Sequence, residues 1–274
     1  MFSNVGWLST RGFSIGGQRM GERTLAGKRV VVVGASAGIG RAFAVRAGKE
    51  GADLLIAARR RDRLDEVAAA AGCGAAISAD VRNADDCARL ADMARESLGE
   101  IDLLFISVGY APLRMFADTS VDDWMEVMQT NVVGVHQVIK CCLPVLAPAA
   151  IVGALSSETV GQPRTALGAY SSSKAALSES LNAWRTEHPR FRYCCVTVGG
   201  TVPTEFTAAF DPELLGVVVE DWVARGLLQE TLMSPDDVAD MLAGTFASAL
   251  NFPAVGLEQL VIRPPSSPRR TVTG

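Results

Sequence analysis

The chain has no broad basic surface and no long apolar run, and these two absences exclude two classes of protein. Its 274 residues carry a formal net charge of -4, and the arginine runs at 59–61 and 269–270 are too short for a nucleic-acid footprint. A membrane helix needs about 18 apolar residues in a row, and the most apolar stretch, 143–155, is interrupted by Pro144 and Pro148. We therefore expect the protein to bind neither nucleic acid nor a membrane.

Cysteine and histidine are also sparse. The six cysteines include two adjacent pairs and no Cys-x-x-Cys spacing, so they do not form the pattern of a disulfide framework and favour a reducing, cytoplasmic location. A zinc site at His136, Cys141 and Cys142 would lack a second pair of ligands, and packing in the core is the better interpretation of these side chains. We therefore expect no metal site.

A tyrosine and a lysine stand four residues apart in the sequence Tyr170-Ser-Ser-Ser-Lys174. On a helix, this spacing brings both side chains to one face. A free tyrosine has a pKa of about 10, and a nearby ammonium group stabilises its phenolate, so the pair makes a candidate proton donor. Ser157 ends a predicted strand thirteen positions earlier, where its hydroxyl could reach a substrate oxygen. Because exposed helices also carry such pairs by chance, the interpretation needs a second motif.

A glycine-rich turn between an apolar strand and a helix supplies that second motif. The sequence Gly-Ala-Ser-Ala-Gly-Ile-Gly at 34–40 follows a run of four valines and precedes a helical pattern, which is the context of a dinucleotide-binding turn. Glycines allow a close approach to a pyrophosphate, and the N-terminus of the helix directs its N–H groups at the phosphates. An ordinary strand-to-helix turn is the alternative. The residues that we expect to contact a cofactor here are Gly34, Ser36, Ala37, Gly38, Ile39 and Gly40.

From residue 27 onward, short apolar runs alternate with amphipathic stretches, a pattern typical of βαβ units. We predict a doubly wound α/β domain over 25–274, with a seven-stranded parallel sheet and helices on both faces, preceded by a flexible extension at 1–24. Right-handed crossovers place the carboxyl ends of the strands along one edge, where we expect a single cleft. The predicted strands are 29–33, 53–58, 75–78, 102–106, 150–156, 192–198 and 259–262, and the predicted helices are 38–50, 61–71, 84–98, 121–146, 167–187 and 234–250.

The end of the second predicted strand carries no acidic residue. A dinucleotide fold commonly places an acid there to hold the ribose hydroxyls of NAD, whereas this chain reads Ala57-Ala58-Arg59-Arg60. A guanidinium attracts the 2′-phosphate that a carboxylate would repel. Arg59, with Arg60 or Arg41 assisting, therefore favours NADP(H) over NAD(H). The alternative is that these arginines are only solvent-exposed charged residues at the start of the next helix.

Taken together, the glycine turn, Asn131, Ser157, Tyr170 and Lys174 resemble the short-chain dehydrogenase/reductase family in order and spacing, over residues 28–263. The resemblance implies a Rossmann fold and hydride transfer between a nicotinamide and a carbonyl or secondary alcohol. It also implies that Tyr170 passes the proton, that Ser157 orients the substrate oxygen, and that Lys174 lowers the tyrosine pKa and holds the nicotinamide ribose. Asn131 would anchor a water molecule that links Lys174 to solvent.

The resemblance extends to further cofactor contacts and includes two departures. After the fourth strand the family usually has Asn-Asn-Ala-Gly, where this chain reads Ile-Ser-Val-Gly at 106–109, and after the sixth strand it usually has Pro-Gly, where this chain reads Gly-Gly at 199–200. Family members generally form dimers or tetramers through their fourth and fifth helices, so a homodimer or homotetramer is implied. The remaining positions that the resemblance assigns to the cofactor are Asp80, which would contact the adenine, Val81, which would contact its ring face, and Ser107, Val108, Gly109, Gly200, Val202 and Thr204, together with Tyr170 and Lys174.

Substrate contacts are expected at 110–115 and in a lid at 204–233 that is rich in apolar residues. Such a lid favours a small carbonyl or alcohol substrate that is hydrophobic or amphiphilic. The alternative is that the segment packs over the domain or against another subunit. The apolar residues of the segment are Phe206, Phe210, Leu214, Leu215, Val217, Val218, Val219, Trp222, Leu227 and Leu228.

Two other functions stay open at this point. One is a dehydrogenase that oxidises a hydroxysteroid or another alcohol, although NADP preference favours reduction. The other is a non-catalytic NADP-binding sensor or scaffold, which only the altered sequence at 106–109 supports. The intact set of Ser157, Tyr170 and Lys174 favours an enzyme over such a sensor.

Overall fold

The computed structural model describes residues 23–72, 74–208, 210–229 and 231–265. Within these residues, seven strands form one parallel sheet in the order β3-β2-β1-β4-β5-β6-β7. The order reverses between β1 and β4, so the adjacent carboxyl ends of these strands open a crevice. The predicted doubly wound α/β fold is confirmed, whereas the predicted flexible extension lies, up to residue 22, outside the described residues. The strands are β1 Arg29–Val33, β2 Asp53–Ala58, β3 Ala75–Ser78, β4 Ile101–Ile106, β5 Leu146–Ser157, β6 Arg192–Val198 and β7 Gln259–Ile262.

Helices cover both faces of the sheet. Successive side chains of a strand point to opposite faces, so Val31 and Val33 of β1 enter one buried cluster while Val30 and Val32 enter the other. The first cluster is closed by α3, α5 and α6, and the second by α1, α2 and α8. This double burial explains the unbroken valine run, as expected for a parallel sheet. The helices are α1 Gly38–Lys49, α2 Arg61–Ala71, α3 Ala84–Leu98, α4 Val121–Met128, α5 Gly134–Cys142, α6 Gly168–Glu187, α7 Pro212–Ala224 and α8 Pro235–Leu250.

The helix predicted over 121–146 is divided in the structure. A π-helical turn at Gln129–Val133 joins α4 to α5. α5 ends at Cys142, because Pro144 cannot donate a backbone hydrogen bond and its ring obstructs the preceding turn of a helix. Leu146 already pairs with Ile101 of β4, so β5 begins at this residue and not at 150 as predicted.

The two ends of the segment predicted as a lid, 204–233, lie close together at the edge of the sheet. Thr201 and Met233 form a parallel bridge at its base, and α7, which the sequence did not predict, lies between them in the chain. Trp222 of α7 joins a third apolar cluster that also contains Tyr170. The segment therefore covers the predicted proton donor, which lies on α6 beside the carboxyl edge of the sheet. No helix in the described ranges is long and apolar enough to cross a bilayer.

Candidate active site

A cavity of about 730 Å³ opens at the carboxyl edge of the sheet. Nearly all residues predicted to form the site line it, because they follow the carboxyl ends of parallel strands. Three predicted residues, Gly40, Arg41 and Asn131, do not line it. Gly40 and Asn131 lie behind the wall, and Arg41 is exposed on α1. The predicted residues that line the cavity are Gly34, Ser36, Ala37, Gly38, Ile39, Arg59, Arg60, Asp80, Val81, Ser107, Val108, Gly109, Ser157, Tyr170, Lys174, Gly200, Val202 and Thr204.

The glycine turn packs tightly against the end of β4. Gly34 has a φ of +86°, a left-handed value that favours glycine, and a Cβ on it would lie 2.9 Å from the Ser107 carbonyl. A Cβ on Gly40 would lie 2.3 Å from the carbonyl oxygen of Gly34, so glycine here allows α1 to approach the strand. α1 begins after Ala37, whose side chain caps no N–H group, which leaves the first N–H groups to an anion. The turn therefore fits the pyrophosphate of a dinucleotide.

Arg59 and Arg60 follow β2 and line the cavity beside the glycine turn. The Arg60 guanidinium donates to Ser36 Oγ at 3.1 Å and to Glu205 Oε2, in the lid, at 2.5 Å. This arginine holds the pKa of Glu205 below its ordinary value. Both side chains of the pair are about half exposed, so water screens the attraction. Arg60 thus connects the glycine turn to the lid.

Asp80 and Val81 line the cavity after β3. The Asp80 carboxylate pairs with Arg82 at 2.7 Å, and the Arg82 guanidinium holds the pKa of Asp80 below its ordinary value. Val81 packs closely against Gly134, on which a Cβ would lie 2.6 Å from Val81 Cγ2. Both side chains are thus fixed in the cavity wall, while their contact with adenine stays a prediction.

Ser157, Tyr170 and Lys174 meet in one part of the cavity from two elements. Ser157 ends β5, and its Oγ accepts from the N–H and the hydroxyl of Thr159, at 3.2 and 3.1 Å. Tyr170 and Lys174 lie one turn apart on α6, and Lys174 Nζ is 5.9 Å from the centre of the Tyr170 ring. The three side chains belong to residues that are 8%, 8% and 2% exposed, in that order. A substrate oxygen among them would be enclosed by a hydroxyl, a phenol and an amine.

Burial dominates the titration of Tyr170 and Lys174. It raises the pKa of Tyr170 to about 12, although a hydrogen bond with Ser157 and the positive charge of Arg164 oppose the shift. It lowers the pKa of Lys174 to about 8. Lys174 Nζ donates to two backbone carbonyls, at 2.8 and 3.2 Å. The phenol is therefore protonated at neutral pH, and the lowering of its pKa by Lys174 stays a prediction.

Asn131 is fully buried in the π-helical turn. Its side-chain amide accepts from the Tyr110 N–H and donates to the Tyr110 carbonyl, both at 2.8 Å, and it donates to Ser173 Oγ at 2.9 Å. π-helical turns are frequent at functional sites, and this one places the amide between the loop after β4 and the helix that carries the tyrosine. Asn131 thus fixes the cavity wall, and its contact with a water molecule stays a prediction.

Of the two departures from the family pattern, the one at Gly199 has a local structural reason. The Gly199 N–H donates to the Ile262 carbonyl at 2.9 Å, a bond that proline could not make. A Cβ at this position would lie 2.8 Å from Glu158 Oε2. Gly199 therefore makes room for the carboxylate of Glu158. At the other departure, Ser107 continues the β4 ladder by donating its N–H to Val33 at 2.8 Å.

The sequence did not predict a polar network beside Ser157. Glu158 and Arg164 form an ion pair in which each side chain is only 12% exposed, and both line the cavity. Gln229 Nε2 donates to Glu158 at 3.2 Å, and Arg164 donates to a backbone carbonyl of the lid at 2.8 Å. The Arg164 guanidinium lies 5.6 Å from the centre of the Trp222 ring. No motif identifies this network, because it depends on the conformation of the loop between β5 and α6.

Aromatic side chains of the lid cover the tyrosine. The ring centre of Phe206 lies 5.0 Å from that of Tyr170 and 5.4 Å from that of Phe210. Trp222 Nε1 donates to the Thr165 carbonyl at 3.1 Å, which ties α7 to the loop before α6. Apolar rings of the lid therefore cover the chamber beside Tyr170, which also contains the amine of Lys174 and the ion pair of Glu158 with Arg164.

Of the three residues expected to pack in the core, only Cys142 is buried, whereas Cys141 is partly buried and His136 is exposed on α5, so the expectation is wrong for His136. The His136 ring lies 5.1 Å from the Trp184 ring, centre to centre, and Cys142 is buried. Among the described residues, no group of three or more His, Cys, Asp and Glu side chains is arranged to hold a metal ion.

Comparison with known proteins identifies relatives of the whole described fold. The family described as short chain dehydrogenase matches residues 28–214. An uncharacterised oxidoreductase of Listeria monocytogenes is 27% identical over 255 residues, which cover 89% of this chain and 99% of that protein. The 11-beta-hydroxysteroid dehydrogenase-like 2 protein of Arabidopsis thaliana is 32% identical over 199 residues, which cover 70% of this chain and 65% of that protein.

A solved structure of the same family also matches this chain. The short-chain dehydrogenase/reductase from Brucella melitensis described as a glucose/ribitol dehydrogenase is 28% identical, with a TM-score of 0.75, and the alignment covers 87% of this chain and 96% of that one. The matched family region contains the glycine turn, Asn131, Ser157, Tyr170 and Lys174. The chain therefore belongs to the short-chain dehydrogenase/reductase family, oxidoreductases that act on CH–OH and C=O groups with nicotinamide cofactors.

Proposed function

We propose that the protein is an NADP(H)-dependent oxidoreductase that transfers a hydride between the nicotinamide and a carbonyl or secondary alcohol. One observation carries the proposal: Ser157, Tyr170 and Lys174 line the same cavity as the glycine turn. When bound, the cofactor supplies or accepts the hydride. The residues of the chain bind both molecules, exclude water and move the proton.

In this proposal Tyr170 passes the proton to or from the substrate oxygen. Reduction requires a protonated phenol, and the burial that raises the pKa of Tyr170 to about 12 keeps it protonated at neutral pH. The phenolate that remains after the transfer is stabilised by the ammonium of Lys174 on the same helix face. Lys174 also holds the nicotinamide ribose, while Ser157 orients the substrate oxygen. Asn131 anchors the water molecule that connects the lysine to solvent.

The preference for NADP(H) comes from the residues after β2. Arg59 and Arg60 hold the 2′-phosphate, in a position where an acidic residue would have favoured NAD(H). Arg60 must exchange its contact with Glu205 for the phosphate. The other residues that hold the cofactor are Asp80, Val81, Ser107, Val108, Gly109, Gly200, Val202 and Thr204.

The substrate in this proposal is a hydrophobic or amphiphilic carbonyl compound or alcohol. Phe206 and Phe210 form an apolar cover over the proton donor, which suits such a molecule. Similarity to a protein named as hydroxysteroid dehydrogenase-like makes oxidation of a hydroxysteroid or another alcohol the second candidate. A cytoplasmic location fits the five free thiols among the described residues.

A substrate screen with NADPH and NADH in parallel tests the proposed function. Aldehydes, ketones, secondary alcohols and hydroxysteroids form the panel, and cofactor oxidation or reduction is followed by absorbance. We expect turnover with a higher kcat/KM for NADPH than for NADH. Tight NADPH binding without turnover on any compound would favour a non-catalytic sensor, and equal use of NADH would contradict the assigned role of Arg59 and Arg60.

A further inference from the structure

The Glu158–Arg164 ion pair has no part in the proton transfer proposed above, yet it lies in the wall of the same cavity. A buried ion pair contributes little to stability, because the desolvation of both charges offsets their attraction. Apolar side chains would close this wall at least as well. A charged pair in this wall, in addition to the polar groups assigned to proton transfer, therefore calls for a role in binding.

The two charged groups are held firmly beside the catalytic residues. Glu158 directly follows Ser157 in the chain, and its carboxylate accepts from Gln229 and occupies the space that Gly199 leaves open. Arg164 lies close enough to Tyr170 for its charge to lower the pKa of that phenol. A ligand bound next to Arg164 would thus be in the chamber of the reacting oxygen.

Arg164 has hydrogen-bond donors that the protein does not use. A guanidinium carries five N–H donors, and the hydrogen bonds among the described residues engage only Nη2, which donates to Glu158 and to the Leu227 carbonyl. No nitrogen of Arg164 is both buried and unpartnered in the described part of the chain. The side chain borders the main cavity and a neighbouring cavity of about 490 Å³. The unused donors therefore face space that a ligand can enter.

The charge of the site selects the kind of ligand. The Glu158 carboxylate already neutralises the guanidinium, and a second carboxylate at Arg164 would be repelled by the first at short range. An uncharged oxygen, by contrast, can accept from the remaining N–H groups without that repulsion. The aromatic cover formed by Phe206, Phe210 and Trp222 suits the apolar body of the same ligand.

We infer that Arg164 is a specificity-determining residue that binds a second, uncharged oxygen of the substrate, a carbonyl or a hydroxyl, while Tyr170 and Ser157 bind the reacting oxygen. The inference rests on the proposed function and narrows its substrate class to apolar compounds with two oxygen functions. Glu158 acts as the positioning residue that orients the guanidinium and excludes carboxylates.

A matched set of ring ketones tests the inference. Cyclohexanone, 1,4-cyclohexanedione, 2,2-dimethyl-1,3-cyclohexanedione and 4-oxocyclohexanecarboxylate are compared by kcat/KM with NADPH and NADH, using wild type, Arg164→Met and the control Arg95→Met on the exposed side of α3. Since Arg164→Met leaves the Glu158 charge buried and unpaired, the double variant Glu158→Gln/Arg164→Met is measured as well. Thermal unfolding identifies variants that fail to fold.

In wild type, we expect the best dione to exceed cyclohexanone about tenfold, because a hydrogen bond to a charged donor contributes about 1.4 kcal/mol or more. In both Arg164 variants this ratio should fall to about one, whatever the rate with cyclohexanone itself, and Arg95→Met should retain the wild-type ratio. An unchanged ratio in the Arg164 variants, or a wild-type preference for the carboxylate, would overturn the inference and leave the proposed function standing. No turnover of any of these ketones with either cofactor would also overturn the inference, and the wider substrate screen then decides the proposed function.

Discussion

At the scale of single residues, Lys174 is a cation that the fold removes from water. It is 2% exposed, and burial lowers its pKa from 10.5 to about 8. Between these two pH values the unfolded chain binds a proton that the folded chain has released, so the free energy of unfolding rises with pH. We predict that wild type gains about 3 kcal/mol in stability relative to Lys174→Met across this window.

Urea unfolding at several pH values between about 7.5 and 10.5 measures this gain for Lys174. The control is Lys140→Met on the exposed side of α5, for which we expect a constant difference from wild type. Curves that run parallel for wild type and Lys174→Met would contradict the lowered pKa.

Glu205 competes with an anionic ligand for Arg60. Glu205 and Arg60 form an ion pair at 2.5 Å in which both side chains are about half exposed. Ion pairs of this kind contribute up to about 1 kcal/mol to stability. We predict that Glu205→Gln tightens NADPH binding by up to about fivefold and leaves NADH binding unchanged, because only NADPH carries the phosphate that replaces the carboxylate. Calorimetric titration measures both affinities, with the exposed Glu220→Gln as the control. An equal change for the two cofactors would show that Arg60 does not hold the 2′-phosphate.

Residues that belong to a local motif could be predicted, and residues that depend on a loop could not. The spacing of Tyr170 and Lys174 fixes them on one helix face, and Ser157 follows from the end of an apolar strand. The ion pair of Glu158 with Arg164 depends on how the loop between β5 and α6 folds back, which no period in the sequence encodes. For the same reason, the space that a glycine at 199 provides could be recognised only in the structure.

At the scale of elements, the π-helical turn is held by one side chain. Asn131 makes three hydrogen bonds, with the Tyr110 backbone and with Ser173. Asn131→Ala would remove all three hydrogen bonds and leave the partly buried N–H and carbonyl of Tyr110 without this partner, and we predict a loss of about 3 kcal/mol in unfolding free energy together with weaker cofactor binding. Urea unfolding and fluorescence titration of NADPH measure the two effects. Asn182→Ala on the exposed side of α6 is the control, and equal losses in both variants would contradict the assigned role.

Most strand limits could be read from the sequence, because β-branched apolar runs end sharply at polar or glycine residues. Helix limits were harder to predict where a helical pattern of apolar residues contains a residue that breaks helices. The pattern of 121–146 is helical, but Pro144 stops α5 and frees Leu146 for the sheet. α7 was missed because Gly216 and the three valines after it have low helix propensity, although Asp211 followed by proline is a good start signal.

At the scale of the whole molecule, the family resemblance implies a homodimer or homotetramer. Val121 and Met125 of α4 and Val133 of the π-helical turn are exposed apolar residues that an interface could cover. We predict a mass of two or four times 28.9 kDa by light scattering and a smaller mass for Met125→Glu. A monomeric wild type would contradict the prediction. If Val223→Glu dissociates the oligomer and Met125→Glu does not, the interface lies on the lid, where Val223 is exposed. The apolar sequence of the lid raised this alternative.

The doubly wound sheet could be predicted from the alternation of strand and helix patterns alone. How the lid is attached could not, because the bridge between Thr201 and Met233 joins residues that are distant in the chain. The apolar composition of the segment is equally compatible with a lid and with a subunit interface. The ring contact between Phe206 of this segment and Tyr170 favours the interpretation as a lid.

The most direct test of hydride transfer with Tyr170 as the proton donor uses NADPH in which deuterium replaces both hydrogens at C4 of the nicotinamide. A ketone identified in the screen is reduced by wild type and by Tyr170→Phe, and the alcohol product is examined by mass spectrometry. We predict deuterium on the carbinol carbon with wild type, and no product above the enzyme-free blank with Tyr170→Phe, which should still bind NADPH with wild-type affinity. Deuterium transfer by Tyr170→Phe at the wild-type rate would contradict the role of the tyrosine.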